Sequence, residues 1–158
     1  MIKPLVDDYG HPNAPGVSPW WALVPVLGWL YLGMASLLRC RKIEADIIRR
    51  LEARDAAEVE ACWQGLDYDA EVRASIERII RMRAWTDGCR FHPEDPWWLI
   101  GNVKTGDLCE QEIVMDIEEL LGLDRDDGRL EAIHQRTFLE VIRYFTEVQT
   151  EASRARRR

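Results

Sequence analysis

The sequence predicts an all-α protein, and three observations carry that prediction. Apolar residues recur at helical spacing through most of residues 43–148, no run of alternating polarity exceeds three or four residues, and one long uncharged run precedes both. The expected architecture is one N-terminal hydrophobic, transmembrane helix, then a stalk helix, then a small helical bundle. The boundaries are an irregular leader over 1–19, the transmembrane helix over 20–38, a basic flank and stalk over 39–66, a helical domain over 67–150 and a basic tail over 151–158. A length of 158 residues suits one folded domain with an appendage. Hydrophobic residues make up 47% and Trp numbers 7, which excludes low-complexity disorder.

Each element has a local reason. Residues 1–19 hold four of the seven prolines and two glycines and show no helical or strand period. From His11 to Leu38 there is no Asp, Glu, Lys or Arg, and Trp20 to Leu38 is an apolar run of 19 residues. As a helix rising about 1.5 Å per residue that run is about 28 Å long, close to a hydrocarbon core of about 30 Å. Arg39, Arg41 and Lys42 follow at once, and only Lys3 is basic on the other side. The positive-inside rule therefore puts the C-terminal side in the cytoplasm in a single-pass arrangement, with Trp20 and Trp21 at the opposite interface. Pro25, Gly28 and Gly33 interrupt the run and leave a shallow re-entrant or interfacial arrangement open.

Downstream, Ile43, Ile47, Ile48, Leu51, Val59 and Cys62 form the stripe of the stalk helix, which Gly65 ends. Asp67 or Asp69 caps the next helix, whose buried side is Val72, Ile76, Ile79, Ile80 and Met82 or Arg83. Thr86 to Asp95 reads as a loop, and Trp97 to Ile100 as an apolar plug. Leu108 to Leu121 is amphipathic, with Ile113, Val114, Ile117, Leu120 and Leu121 on one side and Gly122 at its end. A last helix over Thr137 to Val148 buries Phe138, Val141, Ile142 and Phe145.

The stretch from Asp95 to Phe145 resembles an acyl carrier protein domain. Glu112, Ile113, Val114, Met115, Ile117, Glu118 and Glu119 match the family's Val-Glu-Leu-Val-Met-x-Ile-Glu-Glu helix, Phe138, Val141, Ile142 and Tyr144 fit its final helix, and Val72 to Ile80 its first. The resemblance covers about residues 67–148 and implies a four-helix bundle. It also implies that the position carrying phosphopantetheine in the family falls on Asp107, in Gly106-Asp107-Leu108, where no serine hydroxyl stands. A carrier-like domain without its arm is expected to bind rather than carry, with no cofactor. In the family the corresponding acidic helix meets basic patches on partner proteins, here through Glu110, Glu112, Asp116 and Glu119.

Charge agrees with an acidic docking body. Residues 43–150 contain 13 Lys and Arg against 25 Asp and Glu, a net of −12, which opposes nucleic-acid binding. The partners expected are therefore a lipid bilayer and a protein with a basic surface. Two alternatives stand beside this non-enzymatic reading: a genuine acyl carrier modified at an unexpected serine such as Ser75, and a small enzyme using His92 with Glu94 and Asp95. Cys40, Cys62, Cys89 and Cys109 make no C-x-x-C pair, and Asp124, Asp126, Asp127 and Gly128 lack the register of a calcium loop, so no metal site is expected. Arg154, Arg156, Arg157 and Arg158 form a basic end able to meet anionic headgroups.

Overall fold

The computed structural model describes residues 2–5, 38, 41–84, 87–101, 109–126 and 128–156. Most of the apolar run, with Trp20, Trp21 and Arg39, lies outside the described residues, and so does Asp107. Among the described residues every regular element is a helix, joined by one isolated antiparallel bridge between Pro96 and Thr137. No described helix is long and apolar enough to cross a membrane.

Helix α1 covers 41–52, α2 Ala56–Trp63, α3 Ala70–Ala84, α4 Trp97–Gly101, α5 Cys109–Leu121, α6 Gly128–Ile133 and α7 Phe138–Ala155. Caps decide where several of them start. Asp55 accepts from the N–H groups of Ala57 and Glu58, and Asp69 from those of Glu71 and Val72, which satisfies donors the first turn leaves free. Thr137 and Glu140 form a reciprocal capping box at the start of α7. Two helices end on left-handed glycines, Gly65 at φ 78° and Gly122 at φ 66°, the conformation a side chain resists.

The stalk expected as one helix is two. It breaks at Ala53–Asp55, because Asp55 caps α2 and Arg54 turns inward to the carboxylate of Asp95. Nor is there a break in packing at residue 66. Ile47, Leu51, Val59 and Trp63 share one core with Val72, Ile76 and Ile80 of α3, Ile113 and Ile117 of α5, and Phe138 to Phe145 of α7. Trp63 is the joint: its ring meets Phe138 edge-on at 5.8 Å between centroids, and its indole N–H donates to the Phe91 carbonyl at 2.9 Å. The basic end is also more regular than expected, since α7 runs to Ala155 and Arg156 donates to the Gly122 carbonyl at 2.7 Å.

The segment before α4 is an ordered strap. The Trp97 N–H donates to the Arg136 carbonyl at 2.9 Å, the Phe138 N–H to the Asp95 carbonyl at 2.8 Å and the Leu139 N–H to the Pro93 carbonyl at 2.9 Å. The apolar plug is the short α4, with Trp97, Leu99 and Ile100 buried. The N-terminal residues take part as well: Leu5 is buried in the common core.

Candidate functional site

Helix α5 lies along α3, and the sequence of each explains the face they expose together. Ile113, Val114 and Ile117 turn inward, as their spacing requires, while Leu120 at 41% exposure and Met82 of α3 at 63% remain open to solvent. The spacing along α3 predicts burial of Met82 or Arg83. Instead Val72, Ile76, Ile79 and Ile80 complete the inner side of α3, and both later residues fall on the outer one. Between the helices is a shallow open hollow of about 510 Å³ lined by Arg78, Ile79, Met82, Asp116, Glu119 and Leu120.

Two acids, Asp116 and Glu119, line this hollow. Arg83 links Asp116 to Glu112: its Nε donates to Asp116 Oδ2 at 2.8 Å and its Nη1 to Glu112 Oε2 at 2.9 Å. All three side chains stay partly exposed, so these are solvated pairs of small energetic weight. Glu119 is exposed on the same helix. Of the four acids read along this helix, Asp116 and Glu119 line the hollow and Glu112 is exposed one turn before Asp116.

Glu110 stands apart. It is 6% exposed and turned under the body, where its Oε2 lies 2.8 Å from Nδ1 of the half-exposed His134. Gly101 makes this possible, since a Cβ there would stand 3.0 Å from the Glu110 Cγ. Burial raises the Glu110 pKa above the ordinary carboxylate value, partly opposed by His134. Glu110 Oε1 and Trp97 Nε1 are both buried without a hydrogen-bond partner among the described residues. An open hollow of about 680 Å³ adjoins, lined in part by Glu110, Leu130, His134, Arg136 and Glu140. The acidic stripe read along α5 thus splits by about half a turn of phase: Glu110 stands one turn before the buried Ile113 and Val114, while Glu112 and Asp116 follow the exposed side.

His92, Glu94 and Asp95 lie in one local turn. Asp95 is fully buried and accepts four N–H bonds, from Leu5 at 2.8 Å, His92 at 2.8 Å and both terminal nitrogens of Arg54 at 2.6 and 2.8 Å. His92 Nδ1 accepts the Glu94 N–H at 3.2 Å, which completes a local turn, and Glu94 is exposed. Ser75 is half-buried in the middle of α3. In the acidic connection after α5, Asp126 caps the Gly128 N–H, while buried Glu118 pairs with Arg129. No group of three or more His, Cys, Asp or Glu able to hold a metal ion occurs among the described residues. At the basic flank, Arg41 and Lys42 are exposed at the start of α1.

The class defined by this geometry is an all-helical module with an acid-bordered apolar face. No family model matches the chain, and no solved structure matches it. It is similar to (−)-germacrene D synthase of Vitis vinifera, at 21% identity over 87 residues, which are 55% of this chain and 15% of that enzyme. The chain spans a small part of that relative, and likeness of this degree transfers neither its fold nor its activity.

Proposed function

We propose that this protein is a membrane-attached, carrier-like docking module that receives a basic amphipathic helix of a partner protein between α3 and α5. The observation that carries this reading is the pair of exposed apolar side chains, Met82 and Leu120, which line one hollow together with Asp116 and Glu119. Exposed apolar anchors inside a charged border are the usual anatomy of a binding surface, where burying the anchors supplies affinity and the border supplies orientation and encounter rate. Arg83 supports the choice of partner chemistry, because its guanidinium already sits between Glu112 and Asp116. A partner's arginine or lysine would take its place. The acyl-carrier resemblance of the α5 motif supports the same face, and the uncharged run ending in Arg39, Arg41 and Lys42 supports attachment to lipid.

The test is fluorescence anisotropy with a labelled helical peptide carrying leucines at i, i+3, i+4 and i+7 and lysines on both flanks. Glu112→Lys with Asp116→Lys should abolish binding, and Leu120→Asp should weaken it at least tenfold. Arg83→Gln should tighten it severalfold by removing the internal competitor. Unchanged binding in the double reversal, with the helical circular dichroism of the native chain, would refute the α3–α5 face as the contact.

A further inference from the structure

The hollow bordered by α5, α6 and the start of α7 shares no lining residue with the α3–α5 face. At its edge a carboxylate and an imidazole are joined, Glu110 Oε2 lying 2.8 Å from His134 Nδ1. An ionised carboxylate only accepts, so Nδ1 carries the proton and the lone pair of the neutral ring is on Nε2. Nε2 makes no hydrogen bond to a described residue, and the half-exposed ring lines the hollow. Both partners are held firmly. Glu110 is buried against Gly101, and the His134 N–H donates to the Leu130 carbonyl at 3.0 Å beside the fully buried Ile133.

Two further features give this pair a chemical direction. Glu110 Oε1 is buried without a hydrogen-bond partner among the described residues, so the charge of this carboxylate is met chiefly by His134. A carboxylate in that position favours a positive ring, because burial strengthens an attraction that water would otherwise screen. An imidazole that bonds an electrophile through Nε2 becomes positive, and a carboxylate on Nδ1 then both orients and stabilises it. The electrophile is indicated by Arg136, which lines the same hollow. Its guanidinium lies over the Tyr144 ring, 5.0 Å from the centroid, and its N–H groups make no hydrogen bond to a described residue. The edge of a stacked guanidinium matches two oxygens of a phosphoryl group. Glu131 and Glu140 also line the hollow, and Glu140 is engaged with Thr137. Their negative charge favours a singly charged phosphoryl donor over a nucleotide.

We propose that His134 is a phosphoryl-acceptor site, taking the group on Nε2 from a donor of the phosphoramidate class, such as an N-phosphohistidine of another protein. The Nε2 lone pair attacks phosphorus, a new N–P bond forms and the donor's own P–N bond breaks. The leaving nitrogen takes that bonding pair; protonated before the attack, it departs as a neutral amine or imidazole. Nδ1 keeps its proton and its bond to Glu110 throughout, and the positive charge that develops on the ring faces the carboxylate. Glu110 is a positioning residue, fixing which nitrogen is free, and Arg136 meets the phosphoryl oxygens. The site works independently of the α3–α5 face.

The experiment incubates the full chain with potassium phosphoramidate near neutral pH, followed by phosphorus NMR and by mass spectrometry of the intact chain and its peptides. His134 should gain an acid-labile phosphoryl group on Nε2, at least tenfold faster than His11, His92 or free imidazole. His134→Asn should remove it. Glu110→Gln should slow it at least tenfold and spread the group over both ring nitrogens, because a carboxamide can donate to Nδ1 as well as accept from it. Arg136→Gln should raise severalfold the phosphoramidate concentration giving half the maximal rate, and Arg136→Lys should recover part of that loss. The Arg136 variants leave the core untouched and carry the test if Glu110→Gln unfolds. An unmodified chain, a His134 rate no greater than that of His92 or free imidazole, or a phosphoryl group on Nδ1 of the native chain would overturn the proposal.

Discussion

Replacing Asp95 by asparagine tests the joint on which the N-terminal anchor and the inner core both depend. In the native chain the carboxylate is fully buried and the Arg54 side chain is 7% exposed, with two N–H bonds between them and two more from Leu5 and His92. The amide of Asp95→Asn would keep one acceptor oxygen and turn an NH2 group toward donors, leaving the guanidinium without its counter-charge. Breaking one partner of a buried ion pair costs about 3–5 kcal/mol, a large fraction of the roughly 5–15 kcal/mol that holds a domain folded. With a urea m-value of about 1–3 kcal/mol per molar, the midpoint should fall by roughly 1–5 M. The assay is urea unfolding followed by tryptophan fluorescence, for which Trp63 and Trp97 are buried reporters. Arg54→Met alone should cost a similar amount. The double variant should cost clearly less than the sum, because each change after the first removes a charge already unpaired. A loss below about 1 kcal/mol in Asp95→Asn, or strict additivity in the double variant, would refute a coupled buried pair.

Three further outcomes follow from the same structure. The Glu110 pKa is raised in the folded chain by burial, so the protonated carboxyl contributes stability that is fully present below its ordinary value of 4.5 and is lost as pH rises through the raised folded value. Glu110→Gln should remove that decline, and thermal melts of variant and native chain between about pH 4 and pH 7 should converge toward the acid end; a constant gap would refute it. At the start of α7, Thr137→Ala should cost about 0.5–2 kcal/mol by opening the capping box, measured by urea unfolding. Glu140 there has its pKa lowered chiefly by the Thr137 N–H, so its contribution is present above pH 4.5 and fades as pH falls below. Native melts should show this loss in acid, and Glu140→Gln should lack it.

How much of this is legible in the sequence differs element by element. The apolar positions of α7 are legible in full, since Phe138, Val141, Ile142 and Phe145 follow a single period and all four are buried. Along α5 the inner positions Ile113, Val114 and Ile117 are equally legible, but the same period puts Leu120 inside with them. It lies at the edge of the stripe, where the width of the covering helix decides exposure, and α3 ends its coverage at Ile79 and Ile80. Glu110 reads as a surface acid because acids usually are. The signal that could move it inward is helical phase, since Glu110 stands three, four and seven residues before Ile113, Val114 and Ile117, and Gly101 then leaves it room. Leu5 is invisible for a similar reason, since one leucine in a proline-rich leader has no period.

The sequence by itself determined the helical class, the inner stripes, most helix ends and the acidic balance, because periodicity, caps, glycines and charge act within a few residues of chain. Tertiary structure alone decided that Arg54 breaks the stalk to reach Asp95, that Leu5 returns to the body across 90 positions, and that Met82 and Leu120 share one open hollow. Those pairings join residues far apart in the chain. Their energies come from desolvation and from donors meeting one carboxylate, quantities that exist only after the helices have packed.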